Sequence, residues 1–123
     1  MKIQTCMATL AVVMLTCAPA LAADNPQAAL GEKLYQQRCA ACHAIDSNGY
    51  APRHRGVVGR KAGSQPGYNY SSALKNSGIV WSEANIDLWL QGPSKMVPGT
   101  RMGFHDDNAT ERAAIIAYLK TQK

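Results

Sequence analysis

The chain has 123 residues, a formal net charge of +5, 46% hydrophobic residues and only 7% aromatic ones. That length bounds it to one domain of ordinary size. With one Phe, two Trp and five Tyr it is short of large core side chains, so a bound apolar group would supply much of the missing interior; its scattered basic residues speak against nucleic acid and suit acidic partners.

In chain order, the first segment reads as an export signal. A positive start at Lys2, an apolar run from Met7 to Cys17 and the small-x-small pattern Ala20-Leu21-Ala22 predict cleavage after Ala22. Residues 1–22 are therefore expected to be removed, leaving 23–123 as a single exported domain in the periplasm. The apolar run is shorter than the roughly 20 residues a membrane span needs, so no permanent membrane insertion is expected. Thr16 is bulkier than the residue that usually precedes a lipidated cysteine. Cys6 and Cys17 leave with the leader, and Cys39 and Cys42 remain as one CxxC pair.

Ala28 to Arg38 shows apolar spacing of three and four, with Leu30, Leu34 and Arg38 on one side and Gly31 and Tyr35 beside them, which predicts a helix. Gly31 costs about 1 kcal/mol of helix propensity relative to Ala, and its placement points to a close helix crossing. Asp46 to Gly67 is rich in Gly, Pro, Arg and Ser and reads as a long loop; such loops are usually functional or disordered, and one wrapped around a cofactor meets that expectation. A short helix is predicted at Ser71 to Asn76, ended by Gly78. Ser82 then caps a helix with Ile86, Trp89 and Leu90 on one face, stopped by Gly92 and Pro93. Asn108, with Glu111 three residues on, opens a last helix whose stripe is Ile115, Tyr118 and Leu119. No run has strand period, so the chain is all-helical with long loops.

Cys39-Ala40-Ala41-Cys42-His43 follows the first helix directly. Each sulfur of such a CxxCH run can add to one haem vinyl group, and the histidine next in line is placed under the iron, so the pattern reads as c-type haem attachment. A thioredoxin-like dithiol would need an α/β fold and a helix start. A structural zinc site needs four ligands, with only His54 and His105 left to complete it. A plain disulfide leaves His43 unexplained.

Four other side chains could donate a lone pair to the iron: Met96, Met102, His54 and His105. Pro98-Gly99 forces a turn, and Met102 sits on the loop braced by it. Met96 reads as core filler, and His54, between Arg53 and Arg55, as solvated. His105, three residues from Met102, remains a competitor.

With these residues in view the sequence resembles the class I soluble monohaem cytochromes c of bacteria and mitochondria. The likeness runs from Gly31 to Lys120 through CxxCH, Gly59-Arg60-Lys61-Ala62-Gly63, Pro66-Gly67-Tyr68-Asn69-Tyr70, Gly78-Ile79-Val80-Trp81 and Val97-Pro98-Gly99-Thr100-Arg101-Met102. It implies a small cytochrome c fold in which first and last helices cross at Gly31, Tyr35 and Tyr118, with long loops around one covalently bound haem c. It further implies that His43 and Met102 are the iron ligands, that Pro52 offers its carbonyl to the other imidazole nitrogen of His43, and that Arg60, Tyr70 and Trp81 sit near the haem propionates. Two positions depart from the family. Trp89 stands where these proteins commonly have a tyrosine, so the likeness does not carry over a hydroxyl contact to the axial methionine, and Leu74 replaces a commonly polar residue.

A His/Met-ligated iron has no open position, so it exchanges an electron without binding substrate, and thioether sulfur favours the ferrous state. The implied role is a monomeric exported electron carrier, not an enzyme, between larger redox enzymes such as a cytochrome bc complex, a terminal oxidase or a periplasmic dehydrogenase or reductase. A different class is a small haem enzyme or gas-binding sensor with an open sixth position and a polar group such as His105 beside it; a third is the fixed haem subunit of a dehydrogenase. Arg38, Lys95 and Arg101 are expected around the exposed haem edge as a docking ring, interrupted by Asp106 and Asp107 beyond Met102.

Overall fold

A computed structural model describes residues 25–123, so the leader expected at residues 1–22 lies outside the described residues. It contains α1 (Pro26–Arg38), α2 (Ser72–Lys75), α3 (Glu83–Gln91), α4 (Pro93–Met96) and α5 (Ala109–Thr121). Among the described residues the only β-type pairing is one isolated bridge between Lys61 and Val80, so the all-α expectation holds. No helix among them is long and apolar enough to cross a membrane.

Capping decides where the helices begin. Asn25 accepts hydrogen bonds from the N–H groups of Gln27 and Ala28, and Pro26 needs no donor of its own in the first turn, so α1 opens two residues before the apolar spacing starts. Ser71, Ser82 and Asn108 cap α2, α3 and α5 through their side-chain oxygens. The short helix α4 is an addition to the sequence reading. Gly92 and Pro93 end α3, but proline is also suited to a first helical turn, and the N–H groups of Lys95 and Met96 bond back to Gly92 O at 3.0 and 3.1 Å.

The first and last helices cross with almost no space between them. A Cβ added to Gly31 would lie 1.8 Å from Ala114 O and 2.9 Å from Tyr118 Cβ, so only glycine lets the backbones approach this far. Around the crossing, Leu34, Tyr35, Ala114, Ile115, Tyr118 and Leu119 are buried, and α3 adds Ile86, Trp89 and Leu90. Leu30 departs from the expected stripe. It is 44% exposed, because the buried face of α1 runs through Ala28, Gly31, Leu34 and Tyr35.

The loop from 46 to 67 is ordered by backbone pairing rather than by helix or strand. Ala51, His54 and Arg55 donate to Cys42 O, Ala44 O and Ile45 O at 2.8–3.0 Å, which laces the loop onto the segment after α1. Gly59 and Ala62 donate to Trp81 O and Ile79 O, and Trp81 donates back to Arg60 O, each at 2.8 Å. These pairings satisfy buried backbone groups without a sheet. A polar network closes the other side: Arg112, itself buried, donates to Asp87 at 2.8 Å and to Asp106 O at 2.9 Å, and Asp106 accepts from Arg38 at 3.0 Å.

Candidate haem-binding site

Cys39 caps the C-terminus of α1, and its N–H donates to Tyr35 O at 2.8 Å. Cys42 and His43 then both donate their N–H groups to Cys39 O, at 3.1 and 2.8 Å. The CxxCH run is therefore a tight turn continuing the helix, which presents two free thiols and one imidazole from a rigid base. Cys39 is half-buried and Cys42 exposed. Burial pushes the Cys39 thiol up to about 11, opposed by the Arg38 charge and reinforced by Asp106 and Cys42.

His43 is half-buried, and its Nδ1 lies 2.8 Å from Pro52 O. A carbonyl only accepts, so Nδ1 carries the hydrogen and the lone pair is on Nε2. Burial lowers the pKa of this imidazole, with the Pro52 hydrogen bond acting in the opposite sense.

Met102 is half-buried on the loop after α4, and the Trp89 Nε1–H donates to its Sδ at 3.1 Å. The departure from tyrosine at position 89 therefore keeps a donor on the sulfur, because the indole of α3 reaches it directly. Met96 is likewise half-buried and packed against the core. His105 points away from such a role: its side chain is 57% exposed, 3.8 Å from Asp107.

Arg60 and Tyr70 meet at a residue the sequence reading passed over. The buried Gln65 accepts from Arg60 Nη1 at 2.9 Å, and its backbone N–H donates to the Tyr70 hydroxyl at 3.3 Å. Trp81 joins by backbone pairing with Arg60 and by an edge contact to Trp89, ring centroids 5.1 Å apart. Burial lowers the pKa of Arg60 and raises that of Tyr70. Gln65 lies within the Gly/Pro-rich loop, where no periodicity marks it as interior; its position two residues before Gly67 carried no signal.

His54 contradicts its reading as solvated. Its ring stacks on that of His43 with centroids 3.9 Å apart and planes 19° from parallel, and its Nδ1 pairs with the Tyr35 hydroxyl at 3.0 Å. Burial, with His43 and Arg60 nearby, holds its pKa well below the ordinary imidazole value. Arg55 is exposed, while the backbone pairing to Ala44 turns position 54 inward. Leu74, the other family departure, is buried in the core.

The donor set fits a covalent haem. Two thiols at the required spacing, an imidazole with its Nε2 lone pair uncommitted to Pro52 and a thioether held by an N–H are all presented, and near Arg60 the buried Arg53 Nε–H lacks an acceptor among the described residues, which suits a group bearing carboxylates.

Comparison with known proteins agrees with this geometry. The family model described as Cytochrome c matches residues 28–123. Cytochrome c2 of Rhodomicrobium vannielii is 43% identical over 119 residues, covering 94% of this chain and 93% of that protein. Cytochrome c of Euglena viridis is 44% identical over 96 residues, covering 76% and 94%. Among solved structures, cytochrome cH from Methylobacterium extorquens superposes with a TM-score of 0.73 at 47% identity over 76% of this chain and 97% of its own, and ferricytochrome c2 from Rhodopseudomonas palustris with 0.74 at 36% over 78% and 98%. With its helical fold, its CxxCH turn and relatives that span nearly their whole length, the chain belongs to the cytochrome c family and carries covalently attached haem c.

Proposed function

We propose that this chain carries single electrons through a haem c whose iron is ligated by His43 and Met102, between larger redox enzymes of the periplasm. The observation that carries the reading is that both ligand candidates are half-buried and already oriented: His43 by Pro52 O, and Met102 by the Trp89 N–H. Bound haem supplies a one-electron iron couple, and the protein contributes binding, orientation and electrostatics.

Cys39 and Cys42 hold the group from one turn of backbone, so loss of cofactor requires breaking covalent bonds. Pro52 keeps the hydrogen on Nδ1 and the lone pair on Nε2 of His43. The Trp89 N–H restrains the Met102 side chain. Arg60 and Tyr70, which meet at Gln65, and Trp81, paired with Arg60 through the backbone, would supply hydrogen bonds and positive charge toward the carboxylates of the bound group. Packed side chains such as Leu74, Trp81 and Trp89 exclude water, which limits rearrangement when charge changes.

An enzyme or sensor with an open sixth position would draw on His105, and that side chain is exposed beside Asp107. The two readings separate in the ferric absorption spectrum, because methionine sulfur on ferric iron gives a weak far-red band. Wild type and Met96→Ala are expected to show it and Met102→Ala to lose it. A band lost in Met96→Ala alone, or absent from wild type, would overturn the ligand assignment. Removal of residues 1–22, checked by the mass of protein recovered from the periplasm, tests the location.

A further inference from the structure

His54 has no part in the ligand set or in thioether attachment, yet it is built into the site on three sides. Its ring covers the flat face of His43, 3.9 Å between centroids and 19° from parallel. Its own orientation is fixed by the Tyr35 hydroxyl on Nδ1 at 3.0 Å and by an edge contact to the Tyr35 ring, centroids 5.6 Å apart. Its backbone is held at both ends: the N–H donates to Ala44 O at 3.0 Å, and the carbonyl accepts from Val57 N at 2.9 Å. Tyr35 is 1% exposed and packs against Tyr118 at the α1–α5 crossing.

A single hydrogen bond to Pro52 restrains the His43 ring weakly against rotation about Cβ–Cγ, because hydrogen bonds to carbonyl oxygens tolerate a broad range of directions. A flat ring at van der Waals distance does not tolerate it: turning the imidazole drives its edge into the neighbour, in an interior packed as densely as a crystal. An aliphatic side chain could fill the same volume, but it offers no plane to align with. The hydroxyl of Tyr35 is what keeps the plate from turning with the ligand.

We propose that His54 is a positioning residue whose ring, anchored by Tyr35, fixes the plane of the His43 imidazole and so its orientation about the iron bond. The proposal rests on His43 being an iron ligand. The orientation of that plane determines how unpaired spin spreads over the ferric haem, which is read in the pattern of paramagnetically shifted haem-methyl resonances and in the anisotropy of the electron paramagnetic resonance spectrum. A residue that only fills space leaves both unmoved.

The test uses the ferric holoprotein. His54→Leu is expected to shift the haem-methyl pattern and the g anisotropy, His54→Phe to keep both near wild type because a flat ring remains, and Tyr35→Phe to shift them in the same sense as His54→Leu because the plate is released. A wild-type pattern in folded His54→Leu, or equal displacement by Leu and Phe, would overturn the proposal. Should His54→Leu fail to fold, Tyr35→Phe decides alone, since it removes only a hydroxyl: an unmoved pattern overturns the plate. Wild-type protein without the far-red band would refute the ligand reading, and the plate with it; a wild type with the band and unmoved variants would refute the plate only.

Discussion

Met102 and His43 each have one hydrogen-bonding partner, and the two partners act on the ligands in opposite senses. Pro52 O accepts from His43 and makes the imidazole a stronger donor. The Trp89 N–H donates to Met102 Sδ, drawing density from the sulfur and weakening its support of ferric iron. Removing that donor should therefore lower the reduction potential. A hydrogen bond has a net worth of about 0.5–1.5 kcal/mol, and a one-electron couple moves about 59 mV per tenfold change in equilibrium. Trp89→Phe is expected to lower the midpoint potential by about 20–60 mV in a redox titration, with Trp89→Tyr closer to wild type. An unchanged or raised potential in a Phe variant that retains the far-red band would refute the role given to the indole.

Among the elements, the α1–α5 crossing is the least tolerant. Alanine at position 31 gains about 1 kcal/mol of helix propensity. The same Cβ would sit 1.8 Å from the Ala114 carbonyl oxygen and 2.5 Å from its carbon, both backbone atoms that move only if the helices part. Overpacking costs about 1–3 kcal/mol where side chains can adjust, and more where they cannot. Gly31→Ala should therefore destabilise the holoprotein by about 2 kcal/mol or more in urea unfolding. Gly49→Ala, where an added Cβ meets nothing within 4 Å, should stay within about 0.5 kcal/mol of wild type. Equal midpoints for the two variants would contradict the close crossing. The polar network at the same end has a different sensitivity. The Asp106 carboxylate is buried and accepts from Arg38, so replacing it leaves that guanidinium with Glu111 alone, while Arg112 keeps its bonds to the backbone carbonyl of position 106 and to Asp87.

For the whole molecule, that network corrects the expected docking ring. Arg38 is engaged with Asp106 at 3.0 Å and Glu111 at 2.6 Å, and buried Asp106 is no surface charge at all. The exposed charges left on this side are Lys95, Arg101 and Asp107. Exposed charges steer encounter more than they hold a complex. Lys95→Glu with Arg101→Glu should slow electron transfer to an acidic partner at low salt, and Asp107→Lys should accelerate it, with the differences fading as salt is raised. Stopped-flow rates that match wild type at low ionic strength would remove these residues from docking. Stability of the whole fold also has a pH limit. Burial is the largest cause raising the pKa of Tyr35, Tyr70 and Tyr118 above their ordinary value of 10.0. Above pH 10 the unfolded chain releases these phenolic protons while the folded chain keeps them, so their stabilising contribution is full below 10 and declines as pH rises further. The urea midpoint should fall steadily above pH 10, and Tyr35→Phe, though less stable at pH 7, should show a shallower decline.

Most of the fold was legible in the sequence because its signals are local. Ser82 and Asn108 cap the helices expected of them, Ile86, Trp89 and Leu90 face the core, and the CxxCH spacing specifies its chemistry within five residues. Pro93 is ambiguous for a local reason, since it ends one helix and suits the first turn of the next. What tertiary structure alone decided was the direction of side chains in segments without period. Nothing near His54 distinguishes an inward from an outward ring; the backbone bond to Ala44 and the hydroxyl of Tyr35, 19 positions away, turn it onto His43. Asp106 likewise reads as a surface acid, and becomes buried only because Arg38, 68 positions distant, reaches it across the helix crossing. Charge, cap and spacing are properties of neighbours in sequence, whereas burial and hydrogen-bond partnership belong to residues that only the folded chain brings together.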